Sequence, residues 1–456
     1  MLSRADSVSA FLDSGSDADQ DCSTIASNTF KIMWSTRRQQ IFKLSILINV
    51  GFILYLMLRS VEAPTKSSIN RLQSVVPCHD RDPVARTRQH GDYWVLENFF
   101  QADRPVKCYE TVTFTTHATY DYLGNIKPLV KRWMAPVSVA VFAPGSDLVS
   151  AVRSIRHLTD CSGDDLVRNL VTFHLFFPRT HMPEQIPKHG FFPKHPYNCT
   201  EKPPFQVINR SDTYMNKRSI MYPINVARNI AKDTALTHFI LAADIELYPS
   251  PNVVPKFLNM IARNKPPLCR KNPRVYPMPV FEIDSKYNVP LWKKEIQMMV
   301  ANKVAFPLKS NVCRKCNMMP ELDKWMAHNE SVRIEEVLAV SKQHQEHMGW
   351  QPVFIGTSDD AHFDERAHRT SKQYRSIQGY IFCVKNYDLM ILSDAFLCHK
   401  PSVKTRVIDQ PEEEEPKELL QDRQDKFDND AVLPELMKLY GFRPQCINYK
   451  KYFDVT

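Results

Sequence analysis

Two carboxylates, Asp244 and Glu246, stand one residue apart, directly after an apolar run that begins at His238. A run of this kind is typical of a buried strand that delivers acidic side chains to the edge of a sheet. In open α/β sheets, ligands bind outside the carboxyl ends of the strands. Oxygen ligands there suit Mg²⁺ or Mn²⁺, which can hold a diphosphate. The pattern indicates an enzyme that uses a nucleotide-sugar or another phosphorylated donor, although surface turns also match so short a motif by chance.

The segments around the carboxylates predict the elements that position them. Continuous apolar runs predict three buried strands, at 136–142, 170–177 and 238–243, the first followed by a turn at Gly145. Apolar residues at helical spacing predict helices over 147–158 and 224–236, and a further helix follows the charged loop 409–416 and ends near Tyr440. Strands that alternate with helices imply an α/β fold with a parallel sheet and helical crossovers.

An apolar segment near the start of the chain, residues 41–58, carries a single charge, Lys43. As a helix it spans roughly 27 Å, which suffices for a bilayer core. Basic residues precede it, so we predict a signal anchor of a type II membrane protein, with the bulk of the chain luminal. A cleaved signal peptide is the rival interpretation, and the long polar stretch before the segment argues against it. A buried core helix is the weaker alternative because the segment has no polar face.

The remaining composition predicts the domain organisation. Residues 1–40 precede the anchor, and their Ser- and Asp-rich start predicts a disordered cytosolic tail. Residues 59–90 carry prolines among polar residues and predict a luminal stem. Residues 91–456 have a globular composition, long enough for one large domain or two joined ones. The net charge of +9 is scattered along the chain, which disfavours a nucleic-acid partner.

Cysteines and sequons agree with a luminal location. Ten of the 11 cysteines follow the predicted anchor, and an even number in an oxidising compartment indicates disulfide bonds, whose pairing the sequence leaves open. A zinc site at Cys313 and Cys316 is the less favoured interpretation, because no second pair stands at a fitting distance. Three sequons predict N-glycosylation at Asn198, Asn209 and Asn329.

Several stretches of the luminal part resemble glycosyltransferase family 49. The matching segments, in chain order, are Tyr222–Asn229, Asp244–Ser250, Val280–Ile283, Cys313-x-x-Cys316 with Trp325, Phe363–Arg366 and Ala395–Lys400. Each is weak alone, but the ordered set is specific and covers about residues 135–450. The resemblance implies a GT-A fold with a Rossmann-like, mostly parallel sheet. It also implies a UDP-sugar donor, a glycan acceptor, Mn²⁺ and inversion at the anomeric carbon.

The resemblance also implies a metal site. The family's Asp-x-Asp motif falls on Asp244 and Glu246, and its third metal ligand falls on His399. The second acid is Glu, one methylene longer than Asp, so the geometry differs. The chain departs from its relatives at two further places, directly after Phe363–Arg366 and at Trp350. Both lie in the half of the site expected to hold the acceptor and the sugar. They leave the specificity open, and to a smaller extent the activity.

Candidate catalytic and donor-binding residues follow from the chemistry and the resemblance together. An inverting transfer needs a base that takes the proton of the acceptor hydroxyl, and Asp364 and Glu282 are the candidates. A surface salt bridge is the competing interpretation for each. Arg228 and Asn229, on the helix ahead of the acidic strand end, are candidates for donor contact, with helix packing equally compatible. Arg366 and Arg228 are candidates to pair with the carboxylate of a glucuronic acid donor.

The resemblance therefore predicts a Golgi enzyme that transfers a sugar from a UDP donor to a glycan. UDP-glucuronic acid is the favoured donor, and transfer of β-1,3-linked N-acetylglucosamine is the alternative. A luminal glycan-binding protein of the same fold that has lost turnover is the alternative from another class, and a glycosidase with paired carboxylates is a weaker one. The acceptor glycan stays open, as does self-association or a complex with another glycosyltransferase.

Overall fold

The computed structural model describes residues 43–50, 66–187, 197–308, 318–331, 335–344, 347, 350, 352–366, 374–400 and 431–446. The chain divides into two compact units, residues 1–60 and 61–456. In the first unit the described residues are 43–50, which form a helical segment. Among the described residues, no helix combines the length and the apolar character needed to span a bilayer. The predicted tail 1–40 and all of the predicted anchor except 43–50 lie outside the described residues.

The described part of the second unit contains fourteen strands, twelve α-helices and four short 3₁₀ helices. The strands are β1 (Arg86–His90), β2 (Tyr93–Phe100), β3 (Val112–Thr119), β4 (Val137–Phe142), β5 (Val171–Pro178), β6 (Phe239–Ala242), β7 (Leu247–Pro249), β8 (Arg274–Met278), β9 (Val280–Ile283), β10 (Ala305–Pro307), β11 (Val337–Ser341), β12 (Val353–Thr357), β13 (Asp388–Leu392) and β14 (Leu397–His399). The helices are α1 (Lys66–Val75), α2 (Ile126–Trp133), α3 (Asp147–Asp160), α4 (Leu166–Leu170), α5 (Pro204–Val207), α6 (Tyr214–Lys217), α7 (Ile224–Asp233), α8 (Val253–Arg263), α9 (Lys293–Ala301), α10 (Leu322–Ala327), α11 (Tyr374–Val384) and α12 (Leu433–Tyr440).

A ten-stranded sheet forms the centre of this unit, in the order β1-β2-β5-β4-β3-β6-β12-β8-β13-β11. Strands β5, β4, β3 and β6 run parallel, while β2 and β12 pair antiparallel on either side of them. Interior parallel strands are covered on both faces and need continuous apolar sequences, as in β4, whose six residues are all buried. The three predicted strands are confirmed as β4, β5 and β6. The mixed α/β architecture with its parallel centre is consistent with a GT-A-like fold.

Strand β3, between β4 and β6, is absent from the sequence-based prediction. Its sequence, Val-Thr-Phe-Thr-Thr-His-Ala-Thr, has the polar composition of a surface segment, yet all eight residues are buried. The Thr113 hydroxyl finds a partner inside the protein, because Thr113 Oγ1 lies 2.7 Å from Thr237 Oγ1, whereas Thr116 Oγ1 is buried without a hydrogen-bond partner among the described residues. The parallel pairing with β6 brings His117, near the end of β3, toward the carboxyl end of β6.

The predicted helices are confirmed with shifted ends. Helix α3 covers the predicted 147–158, and α7 covers the first ten residues of the predicted 224–236. At the end of α7 the Ile230 carbonyl accepts from the Thr234 hydroxyl at 2.7 Å and from the Thr234 N–H at 3.2 Å, a side-chain contact that is common where helices bend or end. The predicted turn holds Gly145 at a φ of +51°, where a Cβ atom would lie 2.6 Å from the Tyr214 ring, so only glycine fits. The charged loop 409–416 lies outside the described residues.

A second sheet of four strands, in the order β10-β9-β14-β7, carries other predicted site residues. His399 on β14 pairs with Leu247 on β7 and with Glu282 on β9. Phe306 on β10 is the next cross-strand neighbour of Glu282. The small sheet therefore continues directly from the Asp244–Glu246 segment, whose chain enters β7.

The folded unit begins earlier than the composition predicts. Helix α1 and strand β1 lie within residues 59–90, which were assigned to a stem. Helix α1 packs against α8, and Leu72 is fully buried in the main core. A disulfide from Cys78 to Cys108 ties the segment to the chain that enters β3. The stem prediction is therefore corrected for residues 66–90, because apolar positions on α1 find a partner far along the chain.

Disulfide bonds are confirmed, but they do not use every cysteine. The described residues contain three: Cys78–Cys108, Cys161–Cys199 and Cys383–Cys446. Cys269, which is exposed, and Cys398, which is buried, have free thiols. Cys313 and Cys316 lie outside the described residues, so neither the disulfide nor the zinc interpretation of that pair is settled.

The three sequon asparagines lie on the surface. Asn198, Asn209 and Asn329 are all exposed. Asn198 Oδ1 accepts a hydrogen bond from the Thr200 hydroxyl at 2.8 Å, which links the two functional residues of that sequon. Exposure is necessary for an attached glycan, and the glycosylation itself stays a prediction.

Candidate active site

A cleft of about 110 Å³ opens at the carboxyl end of β6. Its floor is formed by Ala242, Ala243 and Asp244, and Arg228 enters from α7. The walls are mainly apolar, with side chains from five parts of the chain: Pro279, Val280, Pro307, Leu308, Met318, Met319, Leu322, Trp350, Pro352, Val353 and Phe363. A concave, largely apolar site with a few convergent charged groups is the usual form of a ligand pocket.

The two predicted carboxylates lie on a tight turn. The Leu247 N–H donates to the Asp244 carbonyl at 3.0 Å, which closes the turn and places Glu246 at its third position. Since Leu247 pairs with His399, the backbone brings all three predicted metal ligands to one edge of the protein. Yet the described residues contain no group of three or more His, Cys, Asp or Glu side chains arranged to hold a metal ion. The predicted metal set therefore stays a prediction.

Asp244 is held by two basic side chains. Arg228 Nη2 donates to Asp244 Oδ1 at 3.0 Å, and His117 Nε2 lies 3.2 Å from the same oxygen. His117 Nδ1 lies 2.9 Å from the Tyr222 hydroxyl, which fixes the ring from behind. The dense surroundings of the carboxyl push its pKa up, but the charge of Arg228 and the hydrogen bond from His117 outweigh this and hold the pKa well below the usual range. Asp244 is therefore ionised at neutral pH.

The carboxylate, not the guanidinium, is the open member of this pair. Of the side-chain surface of Asp244, 45% is exposed, against 10% for Arg228. The Arg228 guanidinium lies behind the carboxylate, 5.2 Å from the centre of the Phe363 ring. The cleft consequently presents a fixed, negatively charged oxygen, which is the kind of group that a hard cation prefers.

Helix α7 holds the loop that carries the candidate base. Asn229 is 2% exposed and contacts the Phe363 backbone twice, accepting from the N–H at 2.9 Å and donating to the carbonyl at 2.8 Å. The same amide donates to Glu365 at 2.8 Å, and one helical turn earlier Asn225 donates to the Asp364 carbonyl at 2.6 Å. Both the oxygen and the nitrogen of the Asn229 amide are therefore bonded to the loop, and the predicted donor contact of Asn229 stays a prediction. Asn229 positions residues 363–365.

Asp364 forms a two-pronged ion pair with Arg366, with N–O distances of 3.0 and 2.7 Å. Arg366 also donates to Glu435 on α12 at 2.5 Å. These two hydrogen-bonded carboxylates raise the pKa of the guanidinium further above its usual value, so Arg366 stays charged. Arg366 is not among the residues that line the cleft; it lines a second cavity of about 420 Å³, which shares Phe363 with the cleft. The expected donor contact of Arg366 is therefore not supported.

Glu282, the other candidate base, lies on the outer surface of β9. It is exposed, next to His399 and Phe306 in the small sheet, and it is not among the residues that line the cleft. Asp364, by contrast, lines the second cavity next to Phe363. The structure thus favours Asp364 over Glu282 as the base.

Sequence reasoning missed His117 and missed the site role of Tyr222. His117 contacts Asp244 directly and Tyr222 contacts His117, and His117 lies on the strand that was not predicted. The available signal is the alternation of Thr113, Thr115 and His117, which places the histidine on the same strand face as two β-branched residues. It was weak because threonine is common in surface segments as well.

Comparison with known proteins gives the family. A family model described as "Glycosyl-transferase for dystroglycan" matches residues 111–441, which include β3, α7, Asp244, Asp364, His399 and most of the described second unit. The chain belongs to glycosyltransferase family 49. The match confirms the resemblance on which the site residues were assigned, and it establishes this family 49 member as a glycosyltransferase by relationship.

Three relatives of this family 49 chain share a name. It is 28% identical over 299 residues to "Beta-1,4-glucuronyltransferase 1" of Danio rerio, covering 63% of this chain and 66% of that protein. It is 24% identical over 321 residues to the proteins of the same name from Bos taurus and Homo sapiens, covering 68% of this chain and 72% of each. The chain thus spans slightly less than two thirds of the zebrafish protein, and somewhat more of the other two.

Proposed function

We propose that this chain transfers a sugar from a UDP donor to a glycan acceptor with inversion at the anomeric carbon, and that the sugar is glucuronic acid. Family membership supports the transfer, and the activity for which the relatives are named supports the sugar. The observation that carries the proposal is the open carboxylate of Asp244 at a strand end, inside a cleft walled by Trp350 and Phe363. Flat apolar side chains suit a nucleobase, and the strand end suits its phosphates.

Arg228 is the proposed partner for the carboxylate of the sugar. Among the residues that line the cleft it is the basic one, and a guanidinium pairs with carboxylates through two parallel hydrogen bonds. Arg228 already contacts Asp244 through Nη2. The two charges fix each other's position before a donor arrives, and preorganised charges of this kind are effective in transition-state stabilisation.

Mn²⁺ is the proposed cofactor, with Asp244, Glu246 and His399 as its ligands. Two carboxylates and an imidazole are suitable donors, and the turn and the β7–β14 pairing bring their backbones together. The side chains would have to turn toward one another, since as they stand they do not form a metal-binding group. When bound, the ion supplies compensation for the negative charge that develops on UDP. His117 supports this site from behind, as ligand-holding residues commonly do.

Asp364 is the proposed base. It takes the proton of the acceptor hydroxyl as that oxygen attacks the anomeric carbon and the bond to UDP breaks with its electron pair. Asn225 and Asn229 hold the backbone around Asp364, and Arg366 fixes the plane of its carboxylate. These contacts leave the position of the carboxylate well defined, as proton transfer requires.

The proposed location is the Golgi membrane, as a single-pass type II protein with glycans at Asn198, Asn209 and Asn329. Three disulfide bonds support an oxidising compartment, because they persist in the secretory pathway and are rare in the cytosol. Protease treatment of intact microsomes should remove the N-terminal tail and spare the rest. Digestion of the C-terminal part would contradict this topology.

A catalytically inactive glycan-binding protein is the second candidate function. The observation that favours it is that Arg228 and His117 already compensate the charge of Asp244, which reduces its attraction for a cation. This alternative and the proposed enzyme share the fold and the cleft, and differ in turnover.

A panel of UDP-sugars, tested on the purified chain with mixed glycan acceptors and with or without Mn²⁺, separates these functions. We expect transfer from UDP-glucuronic acid that needs Mn²⁺. Use of UDP-N-acetylglucosamine alone would refute the proposed donor and leave the glycosyltransferase assignment in place. Mn²⁺-dependent binding of UDP without hydrolysis or transfer of any donor would favour the binding protein.

A further inference from the structure

The segment from the end of α8 to the start of β8 carries a dense group of positive charges. Residues 263–274 contain no acidic side chain and five basic ones: Arg263, Lys265, Arg270, Lys271 and Arg274. All of them except Arg274 are exposed. The charge of the chain as a whole is scattered, so this segment is a local concentration of it. Short segments rich in Lys and Arg are typical of surfaces that bind a polyanion.

Two further cations lie beside this segment. Lys342 Nζ lies 2.6 Å from one carboxylate oxygen of Asp388, and Arg270 Nε lies 3.4 Å from the other. Lys385, three residues before Asp388, is exposed. Asp388 itself is fully buried, and the other five cations form no ion pair in the described part of the chain. We call these seven cations the basic surface: Arg263, Lys265, Arg270, Lys271, Arg274, Lys342 and Lys385.

Arg274 fixes the backbone of this segment. Its guanidinium donates to the Leu268 carbonyl and, at 2.6 Å, to the Arg270 carbonyl. The Pro273 carbonyl accepts from the Asp388 N–H at 2.8 Å, which ties the segment to the start of β13. The exposed cations therefore extend from a backbone that is already ordered. A ligand that binds them has only side chains to immobilise, which lowers the entropic cost of binding.

The basic surface lies at the opposite end of β8 from the cleft. Arg274 begins β8 and pairs with Asp388, whereas Met278 ends the strand and Pro279 lines the cleft. The strand between these ends spans roughly 17 Å. None of the seven cations lines the cleft or the second cavity. A ligand on the basic surface therefore leaves the cleft open.

We propose that the basic surface binds an acidic polysaccharide, a linear glycan that carries sulfate or carboxylate groups. Its charge is complementary to such a chain, and an open surface suits an extended ligand better than a small anion, which needs a concave site. The three disulfide bonds are typical of the secretory pathway, where nucleic acid is not a partner. Leu268 is buried, whereas a surface that inserts into a membrane exposes large apolar side chains.

Binding of a heparin decasaccharide to the purified full-length chain tests the proposal without any turnover. We expect its Kd to rise at least tenfold between about 50 and about 200 mM NaCl, because each ion pair releases counterions. A dextran oligosaccharide of the same length is the uncharged control and should not bind. Poly-glutamate and phosphatidylserine vesicles represent the other anionic partners. Tighter binding of either one, or no binding of the heparin decasaccharide, would overturn the proposal.

A double charge reversal locates the binding. Lys265→Glu combined with Lys271→Glu should raise the Kd for the heparin decasaccharide by about tenfold or more, with hydrolysis of UDP-sugars unchanged. The matched control combines Lys202→Glu with Lys294→Glu, two exposed lysines outside the basic surface whose reversal changes the net charge equally. It should bind like the wild type. Equal weakening in both variants would show that net charge alone controls binding and would refute the site.

Cys269 gives a local readout inside the same segment. Its thiol is free and exposed. We expect the heparin decasaccharide to slow the reaction of this thiol with N-ethylmaleimide, an uncharged reagent, by about tenfold, and to slow it much less in the Lys265→Glu, Lys271→Glu variant. Mass spectrometry of the Cys269 peptide measures the rate. An unchanged rate in the wild type at saturating heparin decasaccharide would place the polysaccharide elsewhere.

This proposal and the proposed sugar transfer fail in different ways. If no UDP-sugar is turned over but the double charge reversal weakens binding of the heparin decasaccharide, then sugar transfer is refuted and the basic surface stands. If transfer proceeds but the heparin decasaccharide binds the wild type and the double variant equally, then the basic surface is refuted and sugar transfer stands.

Discussion

Two aspartate–arginine pairs lie beside Phe363, and they are exposed in opposite ways. In the cleft, Asp244 is 45% exposed and its partner Arg228 10%. At the second cavity, Asp364 is 11% exposed and its partner Arg366 41%. The cleft therefore exposes the carboxylate of its pair, and the second cavity exposes the guanidinium of its pair. Arg228 is covered because it lies on helix α7 behind Asp244, whereas Arg366 lies on a surface loop.

This difference shows how identical groups can serve separate tasks. An open carboxylate, backed by a covered guanidinium, suits a diffusible cation that arrives from solvent. A largely covered carboxylate acts instead on a group pressed against it, such as an acceptor hydroxyl, and the cover limits competing water. The charge pattern is compatible with the proposed cation site at Asp244 and with the proposed base at Asp364.

Removal of the open carboxylate should have the largest effect. Asp244→Asn should reduce Mn²⁺-dependent UDP binding by about 100-fold or more, since it removes a proposed ligand and the partner of Arg228. Titration calorimetry with UDP and Mn²⁺ measures this, and circular dichroism checks the fold. Asp364→Asn is the control: it should keep UDP binding and lose transfer. Full metal-dependent binding by Asp244→Asn would sink the assignment of the cleft.

Removal of each guanidinium should distinguish the two aspartate–arginine pairs by their effect on the donor KM. Arg228→Met should raise the KM for UDP-glucuronic acid about tenfold more than the KM for UDP-glucose, because the second donor has no carboxylate to pair. Arg366→Met should change the KM for both donors by the same factor, since Arg366 contacts Asp364 and Glu435 outside the cleft. This replaces the sequence-based expectation for Arg366. Steady-state kinetics with both donors measures these KM values. A selective rise in the KM for UDP-glucuronic acid in Arg366→Met, without one in Arg228→Met, would contradict the proposed role of Arg228.

Loosening the loop between the cavities should have a smaller effect. Asn229→Ala removes three hydrogen bonds to Phe363 and Glu365, and we expect kcat to fall about tenfold while the donor KM stays nearly constant. The thermal midpoint should also fall, since buried partners lose their hydrogen bonds. Asn216→Ala, on the exposed surface of α6, is the comparison variant. A donor KM that rises with unchanged kcat would support the predicted role of Asn229 in donor binding.

A buried charged cluster away from both cavities should affect stability alone. Burial, and then the charge of Asp394, raise the pKa of the Glu335 carboxyl to about 7 from 4.5. The neutral form is therefore favoured in the folded state. Its contribution to the free energy of unfolding is full below pH 4.5 and is lost as the pH rises to about 7. Lys256 and Lys293 face the same cluster, and Lys293, with a pKa lowered to about 8, titrates above this window.

Chemical denaturation between pH 5 and pH 7.5 measures this slope. The free energy of unfolding should decline by at most about 1.4 kcal/mol per pH unit from this group. Glu335→Gln should flatten the decline and leave donor and acceptor KM unchanged, since Glu335 lines neither cavity. An identical slope in that variant would show that other groups control the pH dependence.

The sequence predicts the parts of the site that depend on neighbouring residues. Strand β6 and the position of Asp244 at its end follow from a continuous apolar run, because such a run encodes burial locally. Strand β3 has no such local signal, since its composition is polar and Thr113 is bonded to Thr237, 124 residues away. His117 was missed with it.

Arg366 shows the same limit in another form. Its proximity to Asp364 in sequence suggested a role at the donor, but its position depends on Glu435, 69 residues later. Long-range pairing of this kind has no local pattern, so the sequence does not reveal that Arg366 lines the second cavity and not the cleft. The early start of the folded unit, at α1, was missed for the same reason.

The residues that line the cleft precede, in the chain, the residues of α12 that line the second cavity. A ribosome delivers residues from the N-terminus, so the cleft residues named above, from Arg228 to Phe363, are synthesised before α12. A premature stop codon between positions 400 and 431 would delete Leu439, Tyr440 and the second half of the Cys383–Cys446 bond. Such an allele would keep the codons for the cleft residues, but it would also remove Leu436, which is buried in one cluster with Ile224 of α7, so the helix that carries Arg228 would lose part of its packing.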